Sequence, residues 1–422
     1  MFVGEEPIPR LTESVKPAPV IGEGALGRAS YVGADFNQLA ERLIAHSTAN
    51  PDDMGLLLDI SLVLQMAFRR EEGLAAQRAA LSRRRLYRVF GNGSPPREGW
   101  LRVLALTAPG DLMTNTPIEF IAEGLPVRLD LLFIDPDRPL PEAVPDHDVA
   151  FMAVAQSDEQ EALLRRIAGI TARWPRPMIQ NPLRVLETSR EGVYRALAGA
   201  GGIVVPPVAR VSRALLLHVA AGTAEAETLG MGLRFPILLR PVGSHAGKGL
   251  ERIDDRASAG RYLERIRSGG YYVTQFVSYG GHDGLHRKYR VALVDGRPFL
   301  CHMAISESWM LHYANAGMEK SQAKRDEEAR AMETFETGFA RRHERALEEI
   351  YRRVGLEYLV IDCGESPDGR LLLFEADAAM VIHSMDPPDL FPYKKAHMER
   401  VFQAFYAMLA AKAGRAAAGS TG

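Results

Sequence analysis

Two short apolar stretches in the C-terminal half of the chain each end in acid. One is Tyr358-Leu359-Val360-Ile361-Asp362, the other Leu371-Leu372-Leu373-Phe374-Glu375-Ala376-Asp377, with a Pro367-Asp368-Gly369 turn between them. Strand side chains alternate faces, so Glu375 and Asp377 share one. Paired as a hairpin, the two stretches can bring Asp362 to the same side. Clustered carboxylates repel unless a cation sits among them, and hard oxygen ligands suit Mg²⁺ bridging phosphates. A solvated hairpin with charged ends is the competing reading.

A second candidate is Gly243-Ser244-His245-Ala246-Gly247-Lys248-Gly249. It follows the apolar run Ile237-Leu238-Leu239-Arg240 and precedes another short strand at 250–253. Its spacing is not that of a Walker A loop. A glycine-rich hairpin still lets backbone N–H groups approach phosphate oxygens, with Lys248 or Arg240 to neutralise charge. A plain flexible hairpin is the alternative. Between these elements lies a third, Tyr272-Val273-Thr274-Gln275-Phe276-Val277, then Gly280-Gly281, then Arg287-Lys288-Tyr289-Arg290-Val291. A formal GxGxxG at Gly22–Gly27 follows Pro17-Ala18-Pro19 rather than a strand, which argues against a dinucleotide site.

These residues need a scaffold, and the hydrophobic pattern supplies one. Helical spacing runs from 35 to 88, and a stretch within it, 50–81, loosely resembles one tetratricopeptide unit. A turn-rich linker is expected at 91–97. Strand-like runs at 101–107, 129–134 and 149–154 then alternate with helical candidates at 117–123 and 158–173, the pattern of an open α/β sheet. Thr114-Asn115-Thr116-Pro117 follows the first of these strands with a cap and a Pro, where such sheets bind ligands; an ordinary cap is the plainer reading. Farther on, a helix is expected at 189–200, strands at 237–240, 272–277, 289–294, 299–305, 358–363 and 371–376, and helices at 331–354 and 392–413. The run 320–330 is most simply a solvated loop or helix face.

Taken in order, the glycine-rich hairpin, the linker and the acid-tipped hairpin resemble the ATP-grasp superfamily, most closely its RimK-like and glutathione-synthetase-like carboxylate–amine ligases. The resemblance covers about residues 181–409 and implies an α/β (α+β) ATP-grasp fold behind an open α/β domain and an N-terminal helical module. With the helical module read from its spacing and the Ala/Gly/Ser composition of the end, the chain divides at 1–98, 99–180, 181–270, 271–413 and a tail at 414–422 expected to be disordered. It implies ATP and two Mg²⁺ ions, with Mn²⁺ as a substitute. Arg190 and Arg240 then fall where the family has nucleotide-binding lysines. Gly243, Ser244, Gly247, Lys248 and Gly249 match the triphosphate loop, and Gln275, Phe276 and Val277 the adenine-holding linker. Arg290 matches the arginine on the transferring phosphate, with Arg240 and Lys248 beside it. Asp362, Glu375 and Asp377 match the metal ligands. Lys288 stands where an acid is usual, with Asp283 nearby, and Asp377 replaces an asparagine. The implied chemistry is ADP-forming: ATP phosphorylates a carboxylate, and an amine displaces phosphate to leave an amide.

Substrate contacts are assigned to Asn115, Trp309, His312, Asn315, His383 and Ser384, although histidines found this way are more often structural. The substrates would be small-molecule or peptide carboxylates and amines, and the N-terminal helices offer a surface for a peptide or protein. A phosphotransferase and a nucleotide-binding pseudoenzyme stay open, as does a homodimer. Composition is permissive. Of 422 residues, 51 are Lys or Arg and 53 Asp or Glu, so the net charge of −2 lacks the basic excess of a nucleic-acid or membrane-surface binder. Two cysteines, Cys301 and Cys363, exclude a disulfide framework and point to a reducing cytoplasm. No apolar run reaches membrane-spanning length, and the first residues lack the pattern of a secretory leader.

Overall fold

A computed structural model describes residues 6–90, 97–244 and 247–415 (the side chain of residue 314 apart). The expected linker at 91–97 and tail from 414 lie almost wholly outside them. In the N-terminal third, β1 (Arg10–Thr12) and β2 (Ala18–Val20) precede four helices: α1 (Glu23–Tyr31), α2 (Phe36–Ala49), α3 (Met54–Met66) and α4 (Arg70–Arg83). Residues 6–34 are thus more ordered than their Pro and Gly content suggests. Leu86, which extends the helical spacing, instead opens β3 (Leu86–Val89). The α/β region follows with β4 (Leu101–Thr107), α5 (Ile118–Ile121), β5 (Val127–Phe133), β6 (Ala143–Pro145), β7 (Val149–Met152), α6 (Glu161–Thr171) and β8 (Met178–Ile179).

Strands order as β2-β3-β5-β4-β7-β8, with β5, β4, β7 and β8 mutually parallel. The near-continuous apolar runs of β4 and β7 fit a sheet covered on both faces. Because β2 and β3 belong to this sheet, it runs across the 98/99 division. The glycines at 22–27 also find their use here. Gly24 N–H donates to Glu119 Oε2, and the amides of Ile21 and Gly22 donate to the Asp59 carboxylate. The start of α1 is therefore held by carboxylates of this chain, which leaves no room for a phosphate.

The second half contains α7 (Pro182–Leu186), α8 (Arg190–Leu197), β9 (Ile203–Val204), β10 (Val208–Ser212), α9 (Arg213–Ala220), β11 (Ile237–Pro241), β12 (Glu251–Ile253), α10 (Arg256–Arg265) and β13 (Gly270–Gln275). It ends with β14 (His286–Val294), β15 (Arg297–Ser306), α11 (Gln322–Glu333), α12 (Phe339–Arg342), α13 (Glu344–Val354), β16 (Tyr358–Glu365), β17 (Leu371–Asp377) and α14 (Lys394–Lys412). The single helix expected at 331–354 is thus broken at Gly338, and the charged run before it is helical behind the Ser321 cap.

Two antiparallel-rich sheets form this half, β10-β13-β11-β12 and β15-β14-β16-β17-β9. The four-stranded sheet closes its own core, Leu216, Ile237, Leu239, Tyr262, Tyr271 and Val273 among others. It draws on 208–275, so β13 belongs to it and the 270/271 division cuts it. The five-stranded sheet instead shares a core with the N-terminal sheet through α14: Phe402 and Phe405 pack in one cluster with Phe151, Val294 and Val360. A separately cored lid is thus carried on a continuous body, an arrangement suited to opening and closing.

Candidate active site

Backbone pairing sets one row of side chains across the body sheet. His302 on β15 stands opposite Arg290 on β14, Arg290 opposite Asp362 on β16, and Asp362 opposite Glu375 on β17. Directly opposed residues share a face, and Lys288, Arg290, Glu375 and Asp377 follow by alternation. The β16–β17 hairpin therefore forms as the sequence predicts.

The centre of the row is an ion triplet. Arg290 Nε and Nη2 donate to the two Asp362 oxygens at 2.8 and 3.1 Å, and Lys288 Nζ lies 2.7 Å from Oδ2. Asp362 is only 3% exposed. Burial alone would raise its carboxyl, but attraction from Arg290 and Lys288 outweighs it and holds the group well below the usual carboxylate range. The third Arg290 nitrogen donates to the Val381 carbonyl at 3.0 Å, which fixes the chain after β17.

Glu375 and Asp377 have a different setting. Arg190, the first residue of α8, donates to Glu375 Oε1 at 2.6 Å. Asp377 accepts from the Ala379 amide, and burial, with the neighbouring Glu375 charge, pushes its carboxyl up to about 6. Among the described residues no group of three or more His, Cys, Asp or Glu side chains is disposed to hold a metal ion. Asp362 is itself paired with two cations, Lys288 and Arg290. Glu375 and Asp377, crowded and of like charge, are the oxygen pair that fits a hard divalent ion.

Across from this row stands the lid. Arg240, next to last in β11, folds back on the Ser244 carbonyl and donates from Nε to Ser244 Oγ at 3.2 Å. Burial and repulsion from Arg190 push its guanidinium down to about 10, while Glu375 opposes the shift. Arg240 and Arg190 thus face each other across the cleft as like charges, a setting that an anion would relieve. The β11–β12 hairpin forms as expected, and Gly243, Gly247 and Gly249 all have positive φ. His245 and Ala246 lie outside the described residues, whereas Lys248 is exposed on the returning turn. Gln275 is occupied within the lid, donating to the Arg234 and Pro236 carbonyls at 3.0 Å. Phe276 meets Trp309 edge-on at 5.6 Å, and Val277 is half-buried beside it.

The assigned substrate residues separate. His312 reaches the glycine-rich loop: a Cβ on Gly247 would lie 2.3 Å from its Nε2, and burial together with Lys288 lowers its basicity. Trp309 lines an open cleft of about 540 Å³ with Glu251, Arg252, Asp254, Ser308 and Met310. Asn315 is used locally, accepting from the His312 amide and donating to Met310 O. His383 links to Tyr31 of α1 at 3.0 Å and accepts from the Met385 amide, and Ser384 is half-buried beside it. Asn115 is structural: both ends of its amide bond the Ala108 backbone, at 2.8 and 2.9 Å. The helix that the 114–117 segment was expected to cap spans four residues behind Pro117 and has no side-chain cap. Asp283 is held by Arg287.

The sequence reading missed His302 and the cluster behind it. Tyr313 and Tyr393 donate to Glu328 Oε2, while Lys394 Nζ lies 3.4 Å from Glu328 and 3.3 Å from Asp386. The available signal was a histidine interrupting the apolar run Phe299-Leu300-Cys301-His302-Met303.

No family model and no curated protein matches the chain. Solved structures do. It is similar to a RimK-domain ATP-grasp protein from Sphaerobacter thermophilus, at 18% identity over 71% of this chain and 99% of that one, with a TM-score of 0.37. D-alanine–D-alanine ligase from Bacillus anthracis, solved with ATP, is 13% identical over 74% and 98%, with a TM-score of 0.44. The ATP-grasp ligase PsnB, solved with the precursor peptide PsnA2, is 13% identical over 73% and 97%, with a TM-score of 0.39. These likenesses concern the fold and assign no chemistry to the chain. No helix among the described residues is long and apolar enough to cross a membrane.

Proposed function

We propose that the chain is an ATP-dependent carboxylate–amine ligase that forms an amide through an acyl phosphate, on a free amino acid or a peptide. The observation that carries this reading is the gathering of opposed charge where the lid meets the body sheet. Arg190 bonds Glu375, and Arg240, bonded to Ser244, stands near enough to be repelled by the one and drawn by the other, beside the Arg290–Asp362 pair of the body sheet. Phosphoryl transfer asks for this: positioned cations around an anion, with little covalent work by the protein.

Arg240, Arg190 and Lys248 would bind the triphosphate, with Gly243, Ser244, Gly247 and Gly249 letting the backbone close over it. Gln275, Phe276 and Val277 form the connection at which the base would rest. Arg290, fixed by Asp362, would steady the transferring phosphate and then the acyl phosphate. Glu375 and Asp377 would hold Mg²⁺, which when bound neutralises phosphate charge. Lid closure would exclude water, which otherwise hydrolyses the acyl phosphate.

The test is an ADP-release screen over amino acids and dipeptides, with hydroxylamine present to trap an activated carboxylate as its hydroxamate and mass spectrometry on the hits. ADP plus hydroxamate supports the ligase. A stable phosphorylated product supports a phosphotransferase instead, and ATP binding without ADP release refutes both. Glu375→Gln should lower ADP release by ~10²-fold or more, through loss of charge at the metal and at Arg190.

A further inference from the structure

One member of the cross-sheet row is committed to nothing. His302 stands opposite Arg290, on the face that carries Asp362 and Glu375. Among the described residues no hydrogen bond engages either of its ring nitrogens. The ring is nevertheless held in place. It lies 4.5 Å from the Tyr313 ring, centroid to centroid, at an interplanar angle of 37°. Tyr313 is itself pinned: it donates to Glu328 Oε2 at 3.2 Å, and Lys394 bonds its hydroxyl and sits 4.1 Å from its ring centroid. Glu328 is fully buried and Lys394 nearly so. A buried ion cluster thus holds, through Tyr313, an imidazole that stands opposite Arg290 and makes no hydrogen bond among the described residues.

Its charge state follows from its neighbours. Arg290 and Lys288 face it from β14, Asp362 from β16, Lys394 from α14 and Tyr313 from the loop after β15. Lys288 and Arg290 are paired with Asp362, and Lys394 with Glu328 and Asp386. Burial first, then Arg290 and Lys394, hold the imidazolium well below its ordinary range. A neutral imidazole has one nitrogen free to accept a proton, and because the imidazolium is disfavoured here it would hold that proton only in passing.

We propose that His302 is the general base that takes the proton from the attacking amine. The assignment rests on the ligase reading above and deepens it. In the step, the neutral amine nitrogen forms a bond to the acyl carbon while the carbon–oxygen bond to phosphate breaks. His302 accepts the N–H proton, and the proton passes on to the departing phosphate, which leaves as HPO₄²⁻. The product is the amide, and the imidazole returns neutral. Arg290 across the strand steadies the same phosphate, so base and leaving group share one row.

The test compares two amines in the full chain, using a carboxylate that yields hydroxamate in the screen. Hydroxylamine is largely unprotonated near neutrality and attacks acyl phosphates without a base; a primary amine that the wild type couples is the second probe. His302→Gln should lower amide formation by ~10²–10⁴-fold while hydroxamate formation stays within roughly threefold of wild type. Equal loss of both products would make His302 merely structural and overturn the assignment, as would unchanged amide formation. A wild-type chain that makes no hydroxamate refutes the ligase reading, and the base role with it. A second measurement needs no turnover. ¹⁵N NMR of the ring should show a neutral imidazole at about pH 7; an imidazolium there overturns the proposal.

Discussion

Asp362→Asn is the most direct test of the site's electrostatics. The carboxylate accepts from Arg290 at 2.8 and 3.1 Å and from Lys288 at 2.7 Å, with its own side chain 4% exposed and those of Arg290 and Lys288 only 21% and 12%. Asparagine keeps the shape but leaves both cations without a counter-charge. Removing one partner of a buried pair costs about 3–5 kcal/mol, a factor of roughly 10²–10⁴ in the unfolding equilibrium. At ~2.1 cal/mol/K per residue, 422 residues unfolding as one unit would lose roughly 3–6 °C in Tm. Thermal and guanidinium melts of the wild type and variant check it, without nucleotide or metal.

The pH dependence has a definite sign. The folded carboxyl lies below its unfolded value, so its contribution is present above the unfolded carboxylate pKa of about 4 and is lost as pH falls through the folded value. The difference between wild type and variant should therefore be full at neutral pH and shrink in acid. A difference under ~1 kcal/mol at neutral pH would refute the ion triplet as a buried structural unit.

Gly247→Ala should weaken nucleotide binding severalfold and cost ~1–2 kcal/mol, because φ is +72° and the new Cβ would lie 2.3 Å from His312 Nε2; calorimetric titration with an ATP analogue checks it. Glu23→Gln should stabilise the chain by about 1–3 kcal/mol at pH 8 and by less at pH 5. Burial and the nearby Glu119 push the Glu23 carboxyl up to about 8, so its contribution is present at low pH and lost as pH rises towards that value; paired melts at the two pH values decide it.

What the sequence determined by itself was local. The glycine-rich and acid-tipped hairpins follow from turn residues between apolar runs. Glu375 and Asp377 share a face because strand side chains alternate. The helical spacing of α2, α3 and α4 likewise follows from short-range pattern. Tertiary structure decided the partners. Whether Asp362 meets a metal or two cations depends on which strand lies beside β16, and β14 brings Lys288 and Arg290 to it from some seventy residues away. His302 is near Arg290 in sequence, but its place opposite Arg290 depends on a register that includes a β-bulge at Arg290–Val291. Asn115 misled because a cap sequence cannot show that its amide will be taken by the Ala108 backbone. Pairing across a sheet is a long-range choice made by the packed core, and a one-dimensional pattern carries it only weakly.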